Sequence, residues 1–327
     1  METNEEYHAD TERLSNSMLS VLAKRNGPQL FDVYYVSKTL AIPEQTESMA
    51  LGEMVHCLSL EPEEYINRFA FKPDGLDRVK VAGKAAWKAF ESNRRLADLY
   101  VPKPDISRRT ATGKEEYDAI VLDRIVLERE DFDQACYFFK ELCRISDKTI
   151  VKLEDYETSE GCANAILTHD SLDMLNTCEA RVEKRIDFEL DGVPMRCKPD
   201  WVSLDLQLII DIKTTQNAGP EFAKSVSEFG YYRQAWIYRQ AVRLQTGIDC
   251  RFLFACVETA KPYSVACYEP SEAMMLAGEN DAMALLAEYR YRYETDDWLQ
   301  EWSKGIVPLD LPAWFKQRNF YDEMKTQ

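Results

Sequence analysis

The chain has 327 residues, of which 45% are hydrophobic and 30% charged, enough for one large domain or two modest ones with a real core. No stretch approaches 18 consecutive apolar residues, which excludes an ordinary membrane-spanning helix, and the acidic, polar start of the sequence is unlike a signal peptide. We therefore expect a globular, cytoplasmic protein that does not associate with a membrane.

The first half of the sequence has the apolar spacing of helices. Ser15 or Ser17 is suited to cap a first helix, which we expect to stop at Asn26-Gly27-Pro28. A proline-containing loop separates the last two of the further helices. These are predicted over residues 46–62, 82–98 and 112–128.

Residues 72–109 form a basic segment within an acidic chain. The formal net charge of −17 argues against a nucleic-acid partner, because phosphates are neutralised by Lys and Arg. This segment, however, carries ten basic residues against five acidic ones. It is either a solvated helix face or a surface that contacts DNA phosphates, and the sequence leaves both open. The candidate DNA-binding residues are Arg94, Arg95, Arg108 and Arg109.

From residue 180 the apolar period changes to that of strands. Residues 180–190 alternate between apolar and polar side chains, as a strand does, and Asp191-Gly192 is a hairpin turn signal. Residues 194–204 are then predicted to form the returning strand. The run 206–214 is apolar enough for a central strand, yet it ends in Asp211-Ile212-Lys213. The remaining predictions are a helix over 231–245 closed by Gly247, strands over 250–259 and 263–269, and a mostly helical segment over 271–303.

The charged end of the central strand indicates a metal site. Asp211 and Lys213 are two residues apart, so both side chains leave the same face of a strand. Asp200 is predicted near the middle of the preceding strand, and a hairpin-like return could bring its carboxylate beside that of Asp211. Two adjacent carboxylates repel unless a cation lies between them, and such oxygen ligands suit Mg²⁺ or Mn²⁺. The alternative is a structural Asp–Lys salt bridge.

Three short motifs accompany this strand. "KPD" at 198–200 is followed after ten residues by "DIK" at 211–213, "GEMVH" places Gly52 four residues before His56, and "QAWIY" places Gln234 four residues before Tyr238. In this order the motifs resemble the PD-(D/E)XK nuclease superfamily, and within it the RecB-like branch. The flanking sequence from Tyr7 to about Glu258 is similar to the RecE-type nuclease domain of exodeoxyribonuclease VIII and its phage relatives.

The resemblance implies a fold and a set of roles. The implied fold is α/β, with a restriction-endonuclease-like mixed central sheet flanked by helices. A helical N-terminal region covers residues 1–170 and the nuclease core covers 171–327, and together they are expected to form one integrated domain. Glu183 is a candidate upstream acid, ranked below the main set because an exposed strand position fits it nearly as well, and Glu179 is its competitor. The main set is His56, Asp200, Asp211 and the Ile212 main-chain carbonyl as metal ligands, and Asp200, Asp211, Lys213, Gln234 and Tyr238 as catalytic residues.

The cofactor implied is Mg²⁺, for which Mn²⁺ substitutes. Some relatives carry four cysteines around an iron–sulfur cluster, but Cys250, Cys256 and Cys267 have the spacing of strand residues, so we expect no cluster. The nine cysteines include no C-x-x-C pair, which argues against a disulfide framework or a zinc knuckle.

The resemblance also implies an activity. This is metal-dependent hydrolysis of linear duplex DNA from an end, 5′ to 3′, leaving a 3′ single-stranded tail for an annealing protein in recombination. The implied assembly is a homo-oligomeric ring, a trimer or tetramer that encircles DNA. Two alternatives stay open: a structure-specific or restriction-like endonuclease on the same fold, and a non-catalytic DNA-binding protein.

Overall fold

The computed structural model describes residues 7, 9–43, 46–104, 111–121, 124–299 and 305–312. The chain forms two compact units, each assembled from separate stretches of sequence. The boundary expected near residue 170 does not coincide with them, and that division stays a prediction. The larger unit is Glu44–Phe188 with Arg196–Gly278, and the smaller is Met1–Pro43 with Glu189–Met195 and Glu279–Gln327.

The smaller unit contains helix α1 (Asn16–Leu22), and Ser15 caps it by accepting a hydrogen bond from the Met18 amide at 3.3 Å. The expected stop at Asn26-Gly27-Pro28 is wrong in one respect, because helix α2 (Gly27–Phe31) starts there. Proline has no amide hydrogen, so it is tolerated in the first turn of a helix and can open one as well as end one.

The first half of the larger unit is mainly helical, as predicted, with short strands between the helices. The segment 82–98 is interrupted after Glu91, and the segment 112–128 ends early at Val121, followed by a strand. The elements are α3 (Glu47–Leu60), α4 (Tyr65–Arg68), β1 (Phe69–Phe71), α5 (Val81–Glu91), α6 (Leu96–Leu99), β2 (Tyr100–Pro102), α7 (Ala111–Val121), β3 (Ile125–Leu127), α8 (Arg129–Ile145), β4 (Thr149–Val151), α9 (Leu153–Leu167) and α10 (Met174–Thr177).

A five-stranded sheet lies in the second half of the larger unit. Its order is β11-β10-β9-β8-β5, with β9 and β10 parallel and the other neighbours antiparallel, which confirms the mixed sheet. The elements from here on are β5 (Arg181–Val182), β6 (Ile186–Leu190), β7 (Val193–Cys197), β8 (Trp201–Ser203), β9 (Leu208–Thr215), α11 (Phe222–Phe229), α12 (Tyr231–Thr246), β10 (Arg251–Glu258), β11 (Val265–Tyr268) and α13 (Glu272–Thr295).

Strand β9 is apolar because both of its faces are covered. On one face Ile210 and Ile212 pack with Val55 of α3 and with residues of α9, and on the other Ile209 packs with Val242 of α12. A central strand between two helical layers reads as a continuous apolar run. Each buried aliphatic side chain contributes about 1.5–3 kcal/mol. The α/β fold with flanking helices is therefore confirmed.

The strands predicted over 180–190 and 194–204 are each broken in two. The first breaks after Val182, and the second between Cys197 and Trp201. The predicted hairpin is present between β6 and β7, where Asp191 (φ 51°) and Gly192 (φ 75°) both have positive φ, the conformation of a tight two-residue turn. None of the described helices combines the length and the apolar character needed to cross a membrane.

Candidate active site

The charged end of β9 is buried. Asp211 has no exposed surface, and Lys213, two residues on, ion-pairs with it through Nζ and Oδ2 at 2.5 Å. Gln234 of α12 donates a hydrogen bond from Nε2 to the other carboxylate oxygen, Oδ1, at 3.1 Å. The structure thus brings three of the predicted site residues together.

Asp200 reaches the same place from a break in the sheet. The sequence predicted it within a strand, and this is wrong, because it lies in the bend just before Trp201 of β8. Trp201 pairs with Ile210 of β9, so Asp200 faces the end of that strand. Its Oδ2 accepts a hydrogen bond from the Ile212 amide at 2.7 Å. The bend frees the carboxylate to turn toward the site.

His56 comes from helix α3, which crosses the end of β9 closely. A Cβ atom at Gly52 would lie 3.3 Å from Thr214 Oγ1, so glycine permits this approach. One helical turn later, His56 Nε2 lies 2.9 Å from the Ile212 carbonyl oxygen. A carbonyl only accepts, so Nε2 carries the hydrogen, and Nδ1 faces Asp200 Oδ2 at 3.4 Å. The G-x-x-x-H spacing has a structural reason.

Glu183 completes the cluster. It lies where the edge strand breaks after β5, with φ at 48°, an uncommon value for a non-glycine residue. Its Oε1 is 3.7 Å from His56 Nδ1, and its Oε2 is 3.0 Å from Lys198 Nζ. The sequence pattern predicted an exposed position on a strand for Glu183. This prediction is wrong, because the strand breaks here and the side chain turns inward. Glu179 is exposed.

The cluster has strongly shifted pKa values. Burial alone would lower the pKa of His56, but the carboxylates of Asp200 and Glu183 outweigh it and raise that pKa to about 10. Burial raises the pKa of Asp211 to about 6, against the opposing effect of Lys213. Burial also disfavours ionised Asp200, yet the His56 and Lys213 cations hold its pKa below the ordinary value. Near neutral pH, protonated His56 thus neutralises part of the carboxylate charge.

The donor atoms fit a divalent metal ion. His56, Glu183 and Asp200 each offer one ligand atom, and these atoms lie within 4.8 Å of one another. The buried Asp211 carboxylate lies beside this group, with its Oδ2 ion-paired to Lys213. Carboxylates with one imidazole are a donor set for Mg²⁺ or Mn²⁺. The cluster could therefore hold such an ion.

Two residues that the sequence did not single out lie at the site. Lys198 ion-pairs with Glu183, and the ring centroid of Tyr231 is 4.7 Å from Lys213 Nζ, a cation–π distance. Tyr231 lies three residues before Gln234, on the same helix face, and that spacing could have indicated it. Tyr238 instead packs in the apolar core, with its ring 6.5 Å from that of Phe252. Its catalytic role stays a prediction.

The basic segment has a different character. Arg94 and Arg95 are exposed, and Arg95 makes two hydrogen bonds to the Asp98 carboxylate, at 2.9 and 3.0 Å. Arg108 and Arg109 lie outside the described residues. DNA binding by this segment stays a prediction.

Comparisons with known proteins agree with this fold. The solved structure of a candidate exonuclease from Eubacterium rectale is similar over 97% of both chains, with a TM-score of 0.53 and 14% identity. A second solved structure aligns over 64% of this chain and 88% of its own, with 13% identity, and its TM-score of 0.24 is too low to indicate a shared fold. Among proteins with curated functions, none matches. The model of one family, described as PDDEXK-like domain of unknown function (DUF3799), matches residues 33–298, and the chain belongs to this PDDEXK-like family.

Proposed function

We propose that this protein is a divalent-metal-dependent exodeoxyribonuclease that hydrolyses linear duplex DNA from an end. The family supports a nuclease. The observation that carries the proposal is the buried arrangement of Asp200, Asp211 and Lys213 beside His56. Action from an end is supported by the RecE-type motifs and by the description of the Eubacterium rectale protein as an exonuclease.

The metal ligands that we propose are His56, Glu183, Asp200 and Asp211, with the Ile212 main-chain carbonyl oxygen as a further ligand. The physiological ion would be Mg²⁺, with Mn²⁺ as a substitute, and when bound it would activate water and offset charge on the phosphoryl group. Glu183 is included among the proposed ligands because its Oε1 lies 3.7 Å from His56 Nδ1.

The chain's own residues prepare the site for a phosphate. Lys213 extends from the same strand face as Asp211, so its ammonium group can donate to a phosphate oxygen or orient the attacking water. Gln234 fixes the Asp211 carboxylate by its hydrogen bond, and the Tyr231 ring confines Lys213. These contacts hold the reacting groups in place before substrate binds, which reduces the reorganisation that catalysis requires.

The finer features follow the RecE-type resemblance. We propose 5′ to 3′ polarity, a 3′ single-stranded product that passes to an annealing protein, and a ring of three or four subunits around DNA. A ring would gather the few basic surfaces of a chain with a net charge of −17 around one channel.

The decisive experiment compares three forms of one plasmid, linear, nicked and covalently closed, with Mg²⁺ and with chelator. We expect the linear form to be degraded only with metal, the closed circle to be spared, and a label at the 5′ end to be released first. Linearisation of the closed circle would favour the endonuclease alternative. Binding without hydrolysis under all metal conditions would favour the non-catalytic alternative.

A further inference from the structure

A cationic cavity of about 230 Å³ opens at the edge of the five-stranded sheet. Three basic side chains line it, from Arg181, Lys184 and Arg185. The rest of the lining is mostly apolar and comes from β6, from β8 with Leu204 just after it, and from α12, with Val202 and Val242 among its members. Positive charge over an apolar surface is suited to a phosphate that carries a sugar.

The bend at Glu183 lies between the basic residues that line this cavity. Arg181 precedes the bend and Lys184 follows it, and the positive φ of Glu183 turns the chain between them. The same bend directs the Glu183 carboxylate to His56. One turn of the backbone therefore carries an acid into the metal cluster and basic residues into the neighbouring cavity.

The cavity keeps a positive charge after its local pairs are counted. Arg185 is neutralised by Asp187, with Nε and Oδ1 2.6 Å apart, whereas Arg181 donates to the uncharged Gln245 amide at 3.1 Å. Lys184 is exposed and forms no ion pair within the part of the chain that the structure describes. In a chain with a net charge of −17, such a cavity favours an anion.

Helix α12 links the cavity to the charged end of β9. Gln234 contacts Asp211, and Val242 lines the cavity eight residues later, a distance of about 12 Å along a helix. At a rise of 3.4 Å per nucleotide, this corresponds to roughly three to four nucleotides of one DNA strand.

We infer that this cavity is a subsite for a backbone phosphate of the DNA strand, a few nucleotides from the bond that is cleaved. The inference rests on the proposed function, since it assumes that DNA lies across the carboxylate cluster. Lys184 and Arg181 are the phosphate contacts, and the apolar wall packs against the sugar.

The test measures binding of a labelled linear duplex to the full-length protein in chelator, so that no hydrolysis occurs. Lys184→Ala should weaken binding about tenfold, the size of one charge-assisted contact. It should also lower the slope of log Kd against log salt by about 0.9, which corresponds to one phosphate. Arg181→Ala should act in the same direction. Lys140→Ala is the matched control, because Lys140 is also exposed on the larger unit, on α8, and does not line the cavity.

Equal affinity and equal salt slope in Lys184→Ala and Lys140→Ala would overturn the inference while leaving the proposed nuclease intact. A second arm titrates a deoxynucleoside monophosphate. If Lys184→Ala abolishes saturable binding of the monophosphate but leaves duplex affinity unchanged, the cavity is a small-nucleotide site, and the inference is also overturned. Absence of duplex binding by the unaltered protein would contradict the proposed function itself.

Discussion

Two charged regions of the larger unit differ in how their charges are held. At the end of β9, Asp211 is fully buried and Asp200 is only 7% exposed. On the basic segment, the Arg95 side chain is 82% exposed and pairs with Asp98, three residues away. The first set converges from separate parts of the chain, whereas the second is satisfied by near neighbours in sequence.

This difference separates a functional use of charge from a solvated surface. An exposed ion pair contributes about 0.2–1 kcal/mol and tolerates change, so its presence says little about function. Burying charge costs several kcal/mol per ion, and removing one partner of a buried pair costs about 3–5 kcal/mol. A buried cluster of acids is therefore a poor way to stabilise a fold and a good way to bind a cation.

The largest effect that we expect follows from removing a charge at the end of β9. Asp200→Ala and Lys213→Met should each reduce hydrolysis of linear duplex by about 10³-fold or more, because they remove a proposed metal ligand and the adjacent cation. Release of acid-soluble nucleotides measures the rate, and circular dichroism checks folding. Asp249→Ala is the control, because Asp249 is an exposed carboxylate paired with Arg239. Loss of activity in the control would make the comparison between buried and exposed acids untenable.

A smaller effect tests whether Glu183 belongs to the buried set. Glu183→Gln should weaken Mn²⁺ binding by at least about 10- to 100-fold, because removing even a residue that only orients a metal ligand costs that much. Glu179→Gln, an exposed change four residues earlier, should leave metal affinity as it is. Titration calorimetry measures both. Equal affinities for the two variants would return Glu183 to the surface role that its sequence pattern indicates.

The raised pKa of His56 predicts a proton release when metal binds. In the metal-free protein this pKa is about 10 instead of 6.5, so His56 is protonated at pH 7.5. Its proton therefore stabilises the fold fully below pH 6.5, and this contribution is lost as pH rises toward 10. Metal binding at pH 7.5 should release close to one proton, and affinity should rise with pH. Calorimetry in buffers of different ionisation enthalpy measures the release, and His56→Ala should abolish it. Equal release in both proteins would remove His56 from the metal cluster.

The smallest effect concerns the exposed basic segment. Arg95→Ala removes an exposed charge, so we expect the midpoint of thermal unfolding to stay close to that of the unaltered protein. If the segment touches DNA, the slope of log Kd against log salt should decrease by about 0.9. Anisotropy of a labelled duplex across salt concentrations measures that slope. An unchanged slope would leave residues 72–109 as a solvated surface.

The structural features that the sequence predicted correctly depend on local patterns of residues. The apolar run of β9 with its Asp211 and Lys213 end, and the Asp191-Gly192 hairpin, are encoded by alternation and by turn chemistry, and both are present. Gly52 and His56 share a helix with the predicted spacing. These features need few distant contacts to be recognised.

The features that the sequence did not reveal depend on long-range packing. The break at Glu183 puts a non-glycine residue at positive φ, which no local propensity favours, and its neighbours on the chain alternate as an ordinary strand would. Tyr231 and Lys198 acquire their roles only because α12 and the bend before β8 meet at the end of β9. Tertiary contacts determine both the backbone break at Glu183 and the positions of Tyr231 and Lys198 at the site.

The most direct test of the metal-dependent nuclease centre is the hydrolysis of linear duplex DNA by Asp211→Asn across a series of Mg²⁺ concentrations. Asparagine keeps the shape of the side chain and removes the charge that binds metal and Lys213. We predict no hydrolysis at any Mg²⁺ concentration from a protein that circular dichroism shows to be folded and that binds duplex as the unaltered protein does. Hydrolysis at a rate near that of the unaltered protein would contradict the assignment of the buried cluster as the catalytic centre.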